Sequence, residues 1–430
     1  MEKLILHNIS YTDNGKKIIY EYSGSSQIEK FFDKKKPLYS KYGIDVSTIP
    51  QSIAVIPFLS NMMPIAWYVG FTVEVDQVDE DFYNALILVQ KEFQKRESVS
   101  ITDSKLIAKT LIKNKIEGDK SSMLFSGGVD AYATYIRIFE KKPDLVTILG
   151  ADIAIEDKKQ WDDFTSFIET EKLLENNNQE YIETNLREFY TYQVELLLKD
   201  IGWWGKVQHG LALIGALAPL SFINKYTSIY IASSYTDHID IDWGSTPEID
   251  EKITWASGVR VYHDGYDLKR QDKVDLIAQF ASNTNNKFKL RVCYSELRTE
   301  FNCSNCEKCF RTILGLILND KDPNDYGFIV DEKVYNKIYK VLEIGAASKG
   351  VKYFWWELME KAKSTGKFYV FNDIEAETLQ IDEIRKGKVD QLLEQKLKNS
   401  NKGKQRIRFI IRNKFPWLQQ LYRKIRYQIK

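Results

Sequence analysis

The stretch Ser121-Ser122-Met123-Leu124-Phe125-Ser126-Gly127-Gly128-Val129-Asp130-Ala131-Tyr132 joins a short apolar run, Met123 to Phe125, to a helical segment, Ala131 to Glu140, through a loop of small residues. Glycine lets a backbone approach an anion more closely than a Cβ would allow. The helix that follows points its unpaired N–H groups and positive dipole end at the loop. Ser126 adds a hydroxyl donor, and Asp130 offers a carboxylate suited to a magnesium ion on a departing pyrophosphate. Gly-Gly alone also describes a plain turn, so the reading rests on strand, Ser-Gly-Gly-x-Asp and helix together.

On either side the same rhythm recurs. Short apolar runs at Leu145 to Leu149, Ile229 to Ala232 and Val259 to Tyr262 alternate with helical segments at Asp162 to Leu174, Glu188 to Asp200, Gly210 to Ile223 and Asp272 to Phe280. Such alternation predicts an α/β fold with a doubly wound parallel sheet over residues 116–320. Before it, Leu4 to Tyr11 and Lys17 to Tyr22 flank Asp13-Asn14-Gly15 as a hairpin. A strand from Phe71 to Val75 and a helix from about Asp81 to Gln94 complete a small α+β N-terminal domain, 1–115. After it comes a helical extension, 321–400, with Tyr353 to Lys363 its clearest amphipathic piece, and then a tail, 401–430.

Lys and Arg number 61 and Asp and Glu 60, a net charge of +1 that argues against a dedicated nucleic-acid binder. The balance hides a segregation: Lys402 to Lys430 holds ten basic and no acidic residues, leaving 51 basic against 60 acidic elsewhere. In that tail Ile411, Phe415, Leu418, Tyr422, Ile425 and Ile429 recur at helical steps, with Pro416 and Trp417 marking a helix start. A basic amphipathic helix with an interfacial Trp reads as a peripheral membrane anchor; docking on the acidic body or on RNA would fit the same pattern. No secretory signal opens the chain, so the expected location is cytoplasmic, peripheral at the inner face of the plasma membrane if the tail binds there. Val46 to Val73 lacks charge and is long enough to span a membrane, but Pro57, Pro64, Ser60 and Asn61 interrupt it, and a buried helix pair satisfies the same pattern.

All four cysteines fall within seventeen residues, Cys293, Cys303, Cys306 and Cys309, in the spacing C-x9-C-x2-C-x2-C. Thiolates at x2 spacing converge on one tetrahedral ion, which predicts a structural Zn2+ site. An iron–sulfur cluster is the alternative, and disulfides fit poorly in this spacing.

The Ser126 to Asp130 loop resembles the PP-loop of the ATP pyrophosphatases, which cleave ATP between the α and β phosphates to adenylate a substrate. With the cysteine spacing about 165 residues later, the resemblance narrows to 7-cyano-7-deazaguanine synthase-like proteins over roughly Ser121 to Leu318. It extends to the longer bacterial variants often encoded beside surface-polysaccharide or cell-wall genes. The residues that carry it are His209-Gly210, Ser233 to Trp255, Leu290 to Cys293 and Asn302 to Thr312. One departure is Ala131, which stands where the family carries Ser or Thr.

The resemblance implies a fold of the adenine nucleotide α-hydrolase (HUP) type, with ATP, Mg2+ and Zn2+ as cofactors. The nucleotide site would comprise Phe125, Ser126, Gly127, Gly128, Val129, Asp130, Leu149, Gly150, Arg270 and Lys273. Ser126, Asp130 and Lys273 would act in catalysis, with His209 and His238 as candidate acid/base groups. Arg270 and Lys273 lie at a charged helix start that otherwise reads as a solvated face. Trp243 to Pro247 is either a substrate-covering loop or a rigid turn. The expected function is adenylation of a small-molecule carboxylate or amide, a ligase-like or epimerising step on a glycan or cell-wall precursor. The alternatives are a deazaguanine-type synthase, a defence-system modifier of a protein partner, and a nucleotide-binding scaffold without catalysis.

Overall fold

The computed structural model describes residues 2–96, 101–293, 301–344, 348–397 and 402–414. Among them ten strands form one sheet: β1 Lys3–Thr12, β2 Lys17–Gly24, β3 Tyr39–Tyr42, β4 Thr72–Asp79, β5 Leu106–Ile112, β6 Lys120–Leu124, β7 Asp144–Leu149, β8 Gln179–Thr184, β9 Tyr226–Ala232 and β10 Arg260–Asp264. Their order is β10-β9-β6-β7-β8-β3-β2-β1-β4-β5. Strands β6 to β10 pair in parallel, as the strand–helix alternation requires. Their sheet then continues without a break: β3 joins β8 antiparallel, with Ser40 opposite Thr184 and Tyr42 opposite Ile182. The expected boundary at residue 115 thus lies between two strands of one sheet.

Both faces of the parallel part are covered, which explains its near-continuous apolar runs. On β7, Val146 and Ile148 enter one core while Leu145 and Leu149 enter the other. On β9, Ile229 and Ile231 face the first core and Tyr230 the second. The first core is built with the helices α1 Ile56–Val69 and α2 Glu80–Gln94 and a later pair. The second uses α3 Val129–Arg137 and α4 Lys158–Thr170. The later pair, in the first core, is α5 His209–Ala216 and Ala218–Asn224. The second core is completed by α6 Arg270–Thr284, α7 Glu307–Ile317 and α8 Lys349–Ser364.

The uncharged run is accounted for by packing. Residues Ile56 to Trp67 of α1 are all buried, and Gly215 of α5 lies where a Cβ would overlap the Ser60 side chain, so the two helices approach at that point. Among the described residues one helical stretch, Trp204–Asn224, is long and apolar enough to cross a membrane, and 72% of its most apolar 18-residue window is buried inside the protein.

Three expectations change. The helix over Glu188 to Asp200 is a single turn, Tyr192–Glu195, because the Glu195 carboxylate accepts from Gly202 N (2.8 Å) and Trp203 N (3.0 Å) and folds the chain back. Strand β8 replaces no expected element, since its sequence Gln-Glu-Tyr-Ile-Glu-Thr is mostly polar. The tail forms a helix over Lys402–Lys414, ahead of the start expected at Pro416. There Arg406 donates to the carbonyls of Leu196, Leu198 and Lys199 at 2.9, 2.7 and 3.1 Å, docking the basic segment on the body. Residues 415–430, with Trp417 and most of the apolar stripe, lie outside the described residues.

Candidate functional site

The chain runs from β6 to β7 and β8 on one side, then returns to place β9 and β10 on the other. A crevice opens beyond the strand ends at such a switch point. A cavity of about 760 Å³ occupies it, lined by Phe125, Ser126 and Asp130 after β6, Gly150 to Asp152 after β7, and Ala232, Ser234 and Tyr235 after β9.

The loop itself has the required shape. Gly127 sits at φ +71, and a Cβ there would meet Phe164 at 3.0 Å and Arg291 at 3.3 Å. Gly128 is the extended residue that opens α3, and its N–H lies 3.4 Å from Ser126 Oγ. Gly150 has φ +99, and a Cβ on it would overlap the Thr184 carbonyl, so the β7 exit also needs glycine. Leu149 is buried beneath it in the second core.

Asp130, near the start of α3, is held by two cations from the start of α6. Arg270 Nη1 is hydrogen-bonded to Asp130 Oδ2, and Lys273 Nζ lies 3.3 Å from Oδ1 while donating to Ser233 O at 2.6 Å. Burial opposes the ionised Asp130 carboxyl, but the charges of Arg270 and Lys273 prevail and hold it below the usual carboxylate range. Burial, helped by the neighbouring Arg270, pulls Lys273 below its usual value. Both Asp130 oxygens are therefore engaged by cations. In this geometry Asp130 is the counterion that Arg270 and Lys273 share.

The cysteine cluster adjoins the loop. Arg291 N donates to Gly127 O at 2.7 Å, and the Arg291 guanidinium lies over the Phe164 ring at 4.9 Å. Two residues on, Cys293 joins Cys303, Cys306 and Cys309, whose sulfurs all lie within 4.8 Å of one another. Asn302 clamps this segment, accepting from Val292 N (3.0 Å) and Cys293 N (3.2 Å) and donating to Leu290 O (2.7 Å) and Gly327 O (2.9 Å). Hydrogen bonds among the sulfurs hold the Cys293 thiol down and push Cys306 and Cys309 up, a conflict that a bound cation removes by taking thiolates from all four. The four cysteines can hold a metal ion such as zinc.

Helix α7 starts inside the cluster and turns a second face to the cavity. Cys306 caps it and Cys309 follows, while Lys308 and Arg311 line the cavity. Burial lowers Lys308 to about 7. An aromatic wall runs on from there: Arg311 lies over Phe354 (4.3 Å), which stacks on Tyr235 (5.5 Å, 12°). Tyr235 meets Trp243 at 5.1 Å, and Trp243 meets His209 at 5.2 Å. His209 meets Trp204, also at 5.2 Å. Burial keeps the His209 imidazole below its usual value, so it is neutral at pH 7.

Ser126, Asp130, Gly150, Arg270 and His209 all reach the cavity, and Lys273 supports it through Asp130. His238 does not line it: its side chain is 51% exposed beside Asp237. Trp243 lines the cavity, while Gly244 N donates to Gly205 O (2.7 Å) and Gly244 O accepts from Gly210 N (3.0 Å), so the segment is both wall and fixed turn. Sequence reasoning did not single out Arg187, Asp152, Lys308, Arg311 and Phe354. Lys308 and Arg311 stood inside the quoted cysteine motif, two residues out of phase with Cys306 and Cys309, which is the signal that would have found them.

Glu357 of α8 secures α6 behind the cavity, its Oε2 accepting from Gln271 N at 2.9 Å and its Oε1 buried without a partner. Burial raises its carboxyl to about 7. A raised acid favours folding below its unfolded value and loses that contribution as pH climbs through the folded one. Glu357→Gln is therefore expected to be more stable than wild type above pH 7, by on the order of 1 kcal/mol or more, with the gap closing below about pH 5. Thermal melts from pH 5 to 8 check this; a gap independent of pH would count against it.

Compared with protein-family models, curated proteins and solved structures, the chain matches none.

Proposed function

We propose that the chain is an ATP-dependent adenylating enzyme of the PP-loop type, with a small-molecule carboxylate or amide as acceptor and a structural zinc in the cysteine cluster. The observation that carries this is the convergence of a positive-φ glycine loop, a helix N-terminus and the cations Arg270, Lys273 and Arg291 at one switch-point crevice. The order of the parallel strands supports it: counted from β6, they run 3-2-1-4-5, as in a HUP-type sheet.

In the reaction an acceptor oxygen forms a bond to the α-phosphorus, the bond from that phosphorus to the bridging oxygen breaks, and pyrophosphate leaves with the electron pair. The loop N–H groups and Ser126 hold the phosphates in line. Arg270 and Lys273, aimed by Asp130, neutralise the charge that grows on the leaving group. Water is limited by the aromatic wall. His209, being neutral, is suited to accept a proton in the second half-reaction.

Asp130→Asn removes the counterion shared by Arg270 and Lys273 and is expected to lower AMP formation by about 100-fold or more, with a smaller loss in ATP binding. Radiolabelled ATP incubated with a cell extract provides the measurement. Full turnover in this variant, or ADP as the sole product, would sink the reading. A nucleotide-binding scaffold is the second reading, favoured by Ala131, which lines the cavity without the family hydroxyl.

A further inference from the structure

The cavity contains a cation that the phosphate loop does not occupy. Arg311 is 9% exposed, and its Nε and Nη1 are buried with no hydrogen-bond partner among the described residues. The nearest carboxylate, Glu307, lies 3.7 Å from Nε and is itself hydrogen-bonded by Trp355 Nε1 at 2.9 Å. Arg270 and Lys273, by contrast, share the Asp130 carboxylate.

A guanidinium buried with unmade hydrogen bonds is costly to desolvate unless something completes it. The Arg311 guanidinium carbon lies over the Phe354 ring, 4.3 Å from the ring centre, and Tyr235 backs that ring in turn. Arg311 lines the cavity, and the in-plane edge of a guanidinium matches the two oxygens of a carboxylate. Beside it the rings of Tyr235, Trp243 and His209 offer an apolar face to whatever bears the charge.

We infer that Arg311 and Phe354 form a second anion subsite that holds a carboxylate of the acceptor, beside the cations that serve the phosphate loop. That an acceptor is bound there rests on the adenylation reading; the subsite itself does not. Phe354 comes from α8, so the C-terminal helices determine which acid fits.

The test uses the full-length, metal-loaded protein with benzoate as the carboxylate probe, benzamide as its uncharged isostere and inorganic pyrophosphate as the loop probe. Binding is followed by tryptophan fluorescence, since Trp204 and Trp243 line the cavity. Benzoate is expected to bind about tenfold or more tighter than benzamide. Arg311→Gln should weaken benzoate about tenfold or more and leave pyrophosphate within about twofold, as expected for loss of one charge-assisted pair. Arg311→Lys should recover part of the loss, and Gly127→Val should show the reverse pattern. Equal binding of benzoate and benzamide, or unchanged benzoate affinity in Arg311→Gln, overturns the proposal. So does an equal loss of pyrophosphate, which would make Arg311 a phosphate ligand. If Arg311→Gln does not fold, Phe354→Leu must weaken benzoate alone, and unchanged affinity there overturns it. Should the benzoate pattern hold while no acceptor yields AMP, the subsite stands and the adenylation reading falls.

Discussion

Gly127→Val is expected to abolish binding of ATP and pyrophosphate. The residue sits at φ +71, a conformation that a β-branched side chain resists, and its Cβ would press on Phe164 and on Arg291. Arg291 cannot retreat freely, because its own N–H is bonded to Gly127 O. The substitution therefore crowds Phe164 and displaces Arg291, both of which line the cavity. Local strain of about 1–3 kcal/mol should lower stability without unfolding the sheet. Equilibrium binding of labelled ATP, with far-UV circular dichroism as the folding control, reads the result. Retained affinity in a folded variant would mean that nucleotide does not use this loop.

Removing the metal should produce the other large effect. One zinc per chain is expected by elemental analysis, and Cys306→Ser or chelation should cost several kcal/mol, a fall in Tm on the order of 5 °C. The reason is local: Cys293 is two residues from Arg291, and Cys306 and Cys309 anchor α7. Loss of the ion leaves buried thiols in conflict and frees both segments, so pyrophosphate affinity should fall together with Tm. A protein that purifies without metal and melts unchanged in Cys306→Ser would overturn this.

Much of the parallel sheet was legible because both of its faces are buried. Met123, Leu145 to Leu149 and Ile229 to Ala232 are apolar runs for that reason. The seam with the N-terminal strands was not legible. In β8 only Ile182 and Thr184 are buried, and in the four residues of β3 the buried positions are Ser40 and Tyr42, so in neither does apolar sequence alternate with polar although burial does in β3. The glycine loop and the four cysteines could be read because their chemistry depends on close spacing. Arg270 and Lys273 were found as charges, but their shared partner Asp130 lies 140 and 143 positions away, and only the fold brings them together. Phe354 had no signal at all, since its partners Tyr235 and Arg311 come from other elements. His238 showed the same local pattern as a buried ligand, yet its segment turns outward.

The contribution of α8 to the cavity has a consequence for the order in which the chain is made. The phosphate loop leaves the ribosome early, Arg270 and Arg291 arrive much later, and Phe354 emerges last of all. At ordinary bacterial or eukaryotic elongation rates, the interval from Asp130 to Phe354 is on the order of ten to a few tens of seconds. For much of that time the loop exists without Arg270 and Lys273, and throughout it without the wall that Phe354 supplies. A nascent chain is thus unable to assemble the cavity by folding domain by domain from its N-terminus. The cavity should be complete only near the end of translation, and fragments terminated before α8 should lack its Phe354 wall even where their sheet is folded.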